Sequence, residues 1–155
     1  MATIDATFSL SSDITSYGLS INNTMTMTKA GSTTGLDKTT GLSRRVFTST
    51  NQVDLLTAGT GVAADVPTDK LSSKLYIKNV GSDSSQYFII GKGNSSGGST
   101  ETTIASDGTA YYRIGRLYAG EWMLIPWDAV ATTGDITIQP STAETMHVEY
   151  MVFFE

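Results

Sequence analysis

The chain is expected to fold as an all-β protein, an antiparallel β-sandwich with an extended strand-and-loop N-terminal region. Three observations predict this. The charged fraction is only 16%, below the quarter that soluble domains commonly carry. Threonine and serine fill the gap at roughly a quarter of all residues, and threonine, being β-branched, suits a pleated strand. Apolar residues recur with period two at intervals of about 8–12 residues, the spacing of a sandwich or barrel. The expected helix content is under ~10%. Only Leu55–Ala64 resembles a helix, and Gly59 and Gly61 argue against it.

Residues 3–10 alternate, with Ile4, Ala6, Phe8 and Leu10 on one face and Thr3, Asp5, Thr7 and Ser9 on the other. Residues 17–28 alternate again through Tyr17, Leu19, Ile21, Met25 and Met27, as one long strand or as a hairpin turning at Asn22-Asn23. Residues 29–43, KAGSTTGLDKTTGLS, hold only Leu36 and Leu42 as sizeable apolar groups and read as a long surface loop. The two TTGL units are too few for a repeat architecture. Arg44–Thr50 reads as a strand and Val53–Leu56 as a short one. The Gly/Ala/Asp/Pro-rich stretch 57–70 offers the best domain boundary, dividing N-terminal strands and an arm-like loop at 1–70, expected to make assembly contacts, from a jelly-roll-like β core at 71–155, unless 1–155 is one continuous domain.

Beyond it, strands are expected at 75–80 and 87–90, then a loop at 94–98, a short strand at 102–104 and a turn at Asp107-Gly108. The segment YYRIGRLYAGEWMLIPW, Tyr111–Trp127, holds both tryptophans and three of the seven tyrosines. It reads as a hairpin turning at Ala119-Gly120, with strands at 111–117 and 121–126, and as the densest part of the core. Pro126 lacks an N–H, so its strand ends there or lies at an edge. Strands at 135–139 and 146–154 complete the count at about nine or ten. Met151 and Phe153 are apolar on the opposite face from Val152 and Phe154, so the end of the last strand is expected to be buried on both faces or to lie in an interface. The six strands of the second half nearly make a small jelly roll, which the first half completes or flanks.

The chemistry-bearing patterns are weak. His147, the only histidine, shares a strand face with Glu149, but an acid–base or metal role needs a third group; a solvated face is the preferred reading. GKGNSSGG at 91–98 lacks the following helix and the Gly-Lys-Ser/Thr that a phosphate loop needs. One histidine and no Gly-x-Ser-x-Gly elbow give a catalytic triad no support. Tyr118, Trp122 or Trp127, if exposed, would stack on sugar rings, but the run Trp122-Met123-Leu124-Ile125 favours a core. No catalytic residue, cofactor or metal is therefore expected, and the chain is not read as an enzyme. A net charge of −5 speaks against nucleic acid as a partner. No apolar run reaches the ~20 residues of a membrane span, and MATIDATFSLSSD has neither the basic region nor the apolar stretch of a secretory signal.

TMTMTKAGSTTGLDKTTGLSRRVF (Thr24–Phe47) and KLYIKNVGSD…YFIIG…GRLYAGEWMLIPW (Lys74–Trp127) resemble virion structural proteins of tailed bacteriophages, particularly those infecting marine bacteria and cyanobacteria. The second stretch is similar to small jelly-roll capsid decoration, or cement, proteins. The resemblance implies a protein made in the host cytoplasm and located in the virion. Its partners would be the major capsid protein or other virion proteins, and it would form a homo-oligomer, with a trimer expected. It implies no catalytic residues. The alternative is a tail- or fibre-associated carbohydrate-binding sandwich. The candidate assembly contacts are Leu36, Leu42, Arg44, Arg45 and Tyr118. The arginines are singled out because guanidinium forks carboxylates and residues 79–155 carry an excess of acidic groups.

Overall fold

The structure, a computed structural model, describes residues 3–13, 18–29, 31–58, 73–93, 111–129 and 134–155. These contain eleven strands and no helix: β1 (Asp5–Ser12), β2 (Leu19–Thr26), β3 (Lys38–Thr39), β4 (Ser43–Phe47), β5 (Val53–Leu56), β6 (Lys74–Asn79), β7 (Tyr87–Gly93), β8 (Tyr111–Tyr118), β9 (Trp122–Pro126), β10 (Ile136–Pro140) and β11 (Met146–Phe154). The expected features at 94–98, 102–104 and 107–108, and most of the linker at 57–70, lie outside the described residues.

Two sheets face each other. One has the order β5-β10-β7-β8; the other runs β4-β11-β6-β9, with β3 continuing the β4 edge along β11. All the pairings are antiparallel, and within them β4 lies beside β11, β5 beside β10, β6 beside β9 and β7 beside β8. Strands four to seven are thus matched in reverse order by eight to eleven. A long hairpin rolled up on itself gives this nesting, and the fold is a jelly roll. Strands β4 and β5, which precede the 57–70 stretch, supply one strand to each sheet. The roll therefore draws on both sides of that stretch.

The core forms where alternate side chains of the two inner faces meet. Leu75 and Ile77 of β6, Val148 and Val152 of β11, Phe88 and Ile90 of β7 and Ile138 of β10 are fully buried. Phe47 of one sheet meets Phe88 of the other edge to face, with centroids 5.4 Å apart at 62°; such a pair contributes ~0.5–1.5 kcal/mol beyond its area. Trp127 is buried and its Nε1–H donates to the Gly134 carbonyl at 2.6 Å.

The segment 111–127 is not a hairpin. β8 pairs with β7 and β9 with β6, so the turn at Ala119-Gly120 carries the chain from one sheet to the other. The turn itself is as expected: Gly120 has φ 82°, and the Glu121 N–H donates to the Tyr118 carbonyl at 3.0 Å. Asn79 ties the turn down. Its N–H donates to Glu121 O and its carbonyl accepts from Gly120 N–H, while its buried side-chain amide donates to Leu117 O at 3.0 Å and accepts from Gly81 N–H at 2.9 Å. Those bonds hold the end of β6 against the crossover, which outcompetes the local pairing that sequence proximity suggests. Pro126 does end β9, and β9 is an edge strand.

Residues 29–43 are not a free loop. Thr28 bridges Gly35, and Leu36 N–H donates to Met27 O at 2.7 Å, closing a tight excursion through Gly31 at φ 66°. Lys38–Thr39 then joins β11 as β3. Between β3 and β4 the ladder slips one residue at Gly41, φ 77°, where the Thr40 hydroxyl replaces a carbonyl in accepting the Val152 N–H.

Candidate assembly surface

β1 and β2 stand apart from the roll as a two-stranded ribbon whose strands pair only with each other. β2 is a single strand through Asn22-Asn23, with no turn at the asparagines. The register aligns the two alternations: Ala6 lies opposite Met25, Leu10 opposite Ile21 and Ser12 opposite Leu19. Asp5, Thr7 and Ser9 line up with Thr26, Thr24 and Asn22 on the other face. There Asp5 accepts from the Thr26 hydroxyl at 2.6 Å, and Thr7 and Thr24 hydroxyls meet at 3.1 Å. One face is polar and bonded; the other is apolar.

That apolar face is not covered. Phe8, Leu10, Leu19, Ile21 and Met25 are 37–47% exposed. At the base of the ribbon Met27 is 3% exposed. The outer face of the β4-β11-β6-β9 sheet lies beneath it. Residues Tyr76, Trp122, Leu124, Met151 and Phe153 of that face and Ile4, Ala6, Phe8 and Met25 of the ribbon wall a cleft of about 740 Å³. The two apolar faces of β11 find their reason here. Val148 and Val152 point into the roll; Met151 and Phe153 point out, under the ribbon. Trp122 is 52% exposed and lies 6.3 Å from Tyr76 at 34°. The expected core position for Trp122 is thus corrected: the residue faces outward from β9, while Met123 and Ile125 face in.

The five residues named as candidate assembly contacts lie in different parts of the fold. Leu36 is fully buried by its own chain and presents nothing to a partner. Arg45 is consumed internally: its Nη1 donates to Asp54 O at 2.7 Å and its guanidinium lies 5.2 Å from the Phe47 ring centre, joining the edges of the two sheets. Arg44 does meet a carboxylate of the second half, but within the chain, donating through Nε and Nη2 to one oxygen of Glu149. Leu42, at 61%, is exposed beside the β3–β4 slip. Tyr118, at 36%, sits on the opposite sheet against Tyr87, 5.0 Å away, with Arg116 over the Tyr87 ring. Phe8, Leu10, Ile21 and Trp122, which are exposed, were not among the five expected contacts. Their signal is the alternation itself, which marks an apolar face without saying what covers it.

His147 and Glu149 share the outer face of β11, as two-residue spacing requires. Glu149 is held by Arg44. Among the described residues no three His, Asp or Glu side chains gather as a metal site would require.

No family model matches the chain, and no curated protein does. Among solved structures, the chain is similar to the Yersinia pseudotuberculosis-derived mitogen, at 10% identity and a TM-score of 0.40, over 76% of this chain and 86% of that one.

Proposed function

We propose that the protein is a structural component of a bacteriophage particle, a head decoration protein that binds and stabilises the capsid lattice as a homo-oligomer, with a trimer the favoured form. The resemblance of Thr24–Phe47 and Lys74–Trp127 to virion proteins supplies the setting. The observation that carries the reading is the ribbon β1–β2: a strand pair outside the two sheets of the roll with an exposed apolar face. A monomer rarely exposes a contiguous apolar patch of this kind without an interaction to serve. Capsid stabilisation needs surface, not chemistry, and the described surface exposes apolar and aromatic groups such as Phe8, Leu10, Ile21 and Trp122. Labelled antibody against the protein, viewed by electron microscopy on particles from its source, should decorate heads. Label on tails alone, or on no particle, would refute the proposal.

A second reading, carbohydrate binding at a tail or fibre, is favoured by the exposed Trp122 beside Tyr76, since flat aromatic rings stack on apolar sugar faces. A glycan array separates the two: reproducible hits that vanish in Trp122→Ala would support it, and a blank array would leave the decoration reading alone.

A further inference from the structure

We infer that the distal half of the β1–β2 ribbon docks in the cleft between ribbon and sheet of a second copy of this chain. At ~3.3–3.4 Å per residue, eight-residue strands make a ribbon about 27 Å long. The side chains walling the cleft stop at Phe8 on β1 and Asn23 on β2. The four pairs beyond, Ser9–Asn22 to Ser12–Leu19, wall no part of it, and carry Leu10, Leu19 and Ile21 on their apolar face. A two-stranded hairpin is marginal in water unless something packs on its face. The ribbon has one end that walls no part of its own cleft, and that cleft is left open by its own side chains.

The occupant is a second copy because the two surfaces match in character and sign. The cleft is walled chiefly by apolar groups, and so is the ribbon face. Residues 1–28 contain no lysine or arginine and carry Asp5 and Asp13, the latter just beyond β1. The receiving sheet presents Lys74 and Lys78 outward on β6, beside Phe153 and Trp122 respectively. Asp13, at the end of β1, is thus opposite in sign to these two lysines, and Glu149, which lies across from Lys78 on the same face, is held by Arg44. Exchange of this kind repeats at every copy, burying ribbon and cleft together at each contact. Reciprocal insertion closes a dimer, and head-to-tail insertion closes a ring such as a trimer.

The inference deepens the assembly reading and rests on it only for its biological setting, so its test uses the full-length protein free in solution. Sedimentation should give a mass at least twice that of the monomer. Leu10→Asp with Ile21→Asp should return the mass to that of one chain without changing the far-UV spectrum, since neither residue touches the core. The chain has no cysteine, so a directed cross-link is clean. Leu10→Cys protein mixed with Leu124→Cys protein and a short thiol–thiol linker should give mixed pairs, identified by a size tag on one variant. A wild-type monomer at the highest soluble concentration would overturn the inference. So would unchanged association of the double variant, or absence of mixed pairs. A monomer found on phage heads would overturn the ribbon exchange and the homo-oligomer, and leave the head-decoration reading standing. A ribbon-linked oligomer absent from every particle would do the reverse.

Discussion

The two tryptophans, five residues apart, have opposite fates. Trp127 is 3% exposed and donates to Gly134 O, whereas Trp122 points out of β9. Trp127→Ala should cost about 3–5 kcal/mol, since it opens a large cavity and orphans the Gly134 carbonyl. Trp122→Ala should stay within about 1 kcal/mol, as surface changes do. Urea unfolding of the two variants checks this, and equal losses would contradict the assigned faces. Sequence reading placed both rings in the core. It recognised their size but not their opposite sides: β9 alternates in and out, and 122 and 127 differ by an odd number, so on one regular strand they must point to opposite sides. That part was legible and went unused.

Among the elements, the β8–β9 crossover depends on one glycine with φ 82°. Gly120→Ala should lose about 1–2 kcal/mol, because a side chain is strained in that region. Gly115→Ala, in β8 with open space around the added carbon, should lose little. Thermal melts of the pair test whether the cost is backbone strain; similar losses would point to general disturbance of β8. The excursion at 28–37 offers a pH test. Lys29 donates to Asp37 at 3.2 Å and holds its carboxyl below the ordinary value of 3.8. A depressed carboxyl contributes stability that is complete above that ordinary value and is lost as pH falls through the folded one. Exchange of the Leu36 N–H, the bond that closes the excursion, should therefore quicken as pH drops below 3.8, relative to core amides such as Ile77. Asp37→Asn should remove that dependence; its persistence would place the acid sensitivity elsewhere.

For the whole molecule, the nesting of β4–β7 with β8–β11 makes each half of the chain incomplete alone. β4 and β5 close the two sheets, so the roll should unfold as one cooperative unit. Tryptophan fluorescence and far-UV circular dichroism should show coincident denaturant transitions, and the native spectrum should lack a helical minimum. Two separated transitions would mean that residues before the 57–70 stretch fold independently of those after it.

Strand identity and sidedness were written in the sequence. Period-two alternation located nearly every strand, turn residues separated them, and Pro126 ended β9. Two further matters were decided only in three dimensions. The first is pairing. A backbone ladder is the same for any partner, so β8 takes β7 rather than its neighbour β9, and Asn79, some forty residues from the turn it ties, is what holds the crossover. The second is coverage. Alternation makes an apolar face on β1, β2 and the outer side of β11 alike, and it makes Leu36 look exposed in a polar stretch. Whether such a face is sealed by its own chain, as Leu36 is, or left open, as Leu10 and Ile21 are, depends on which surfaces the fold brings above it. Hydrophobic burial has no direction along the chain, so no local pattern can specify it.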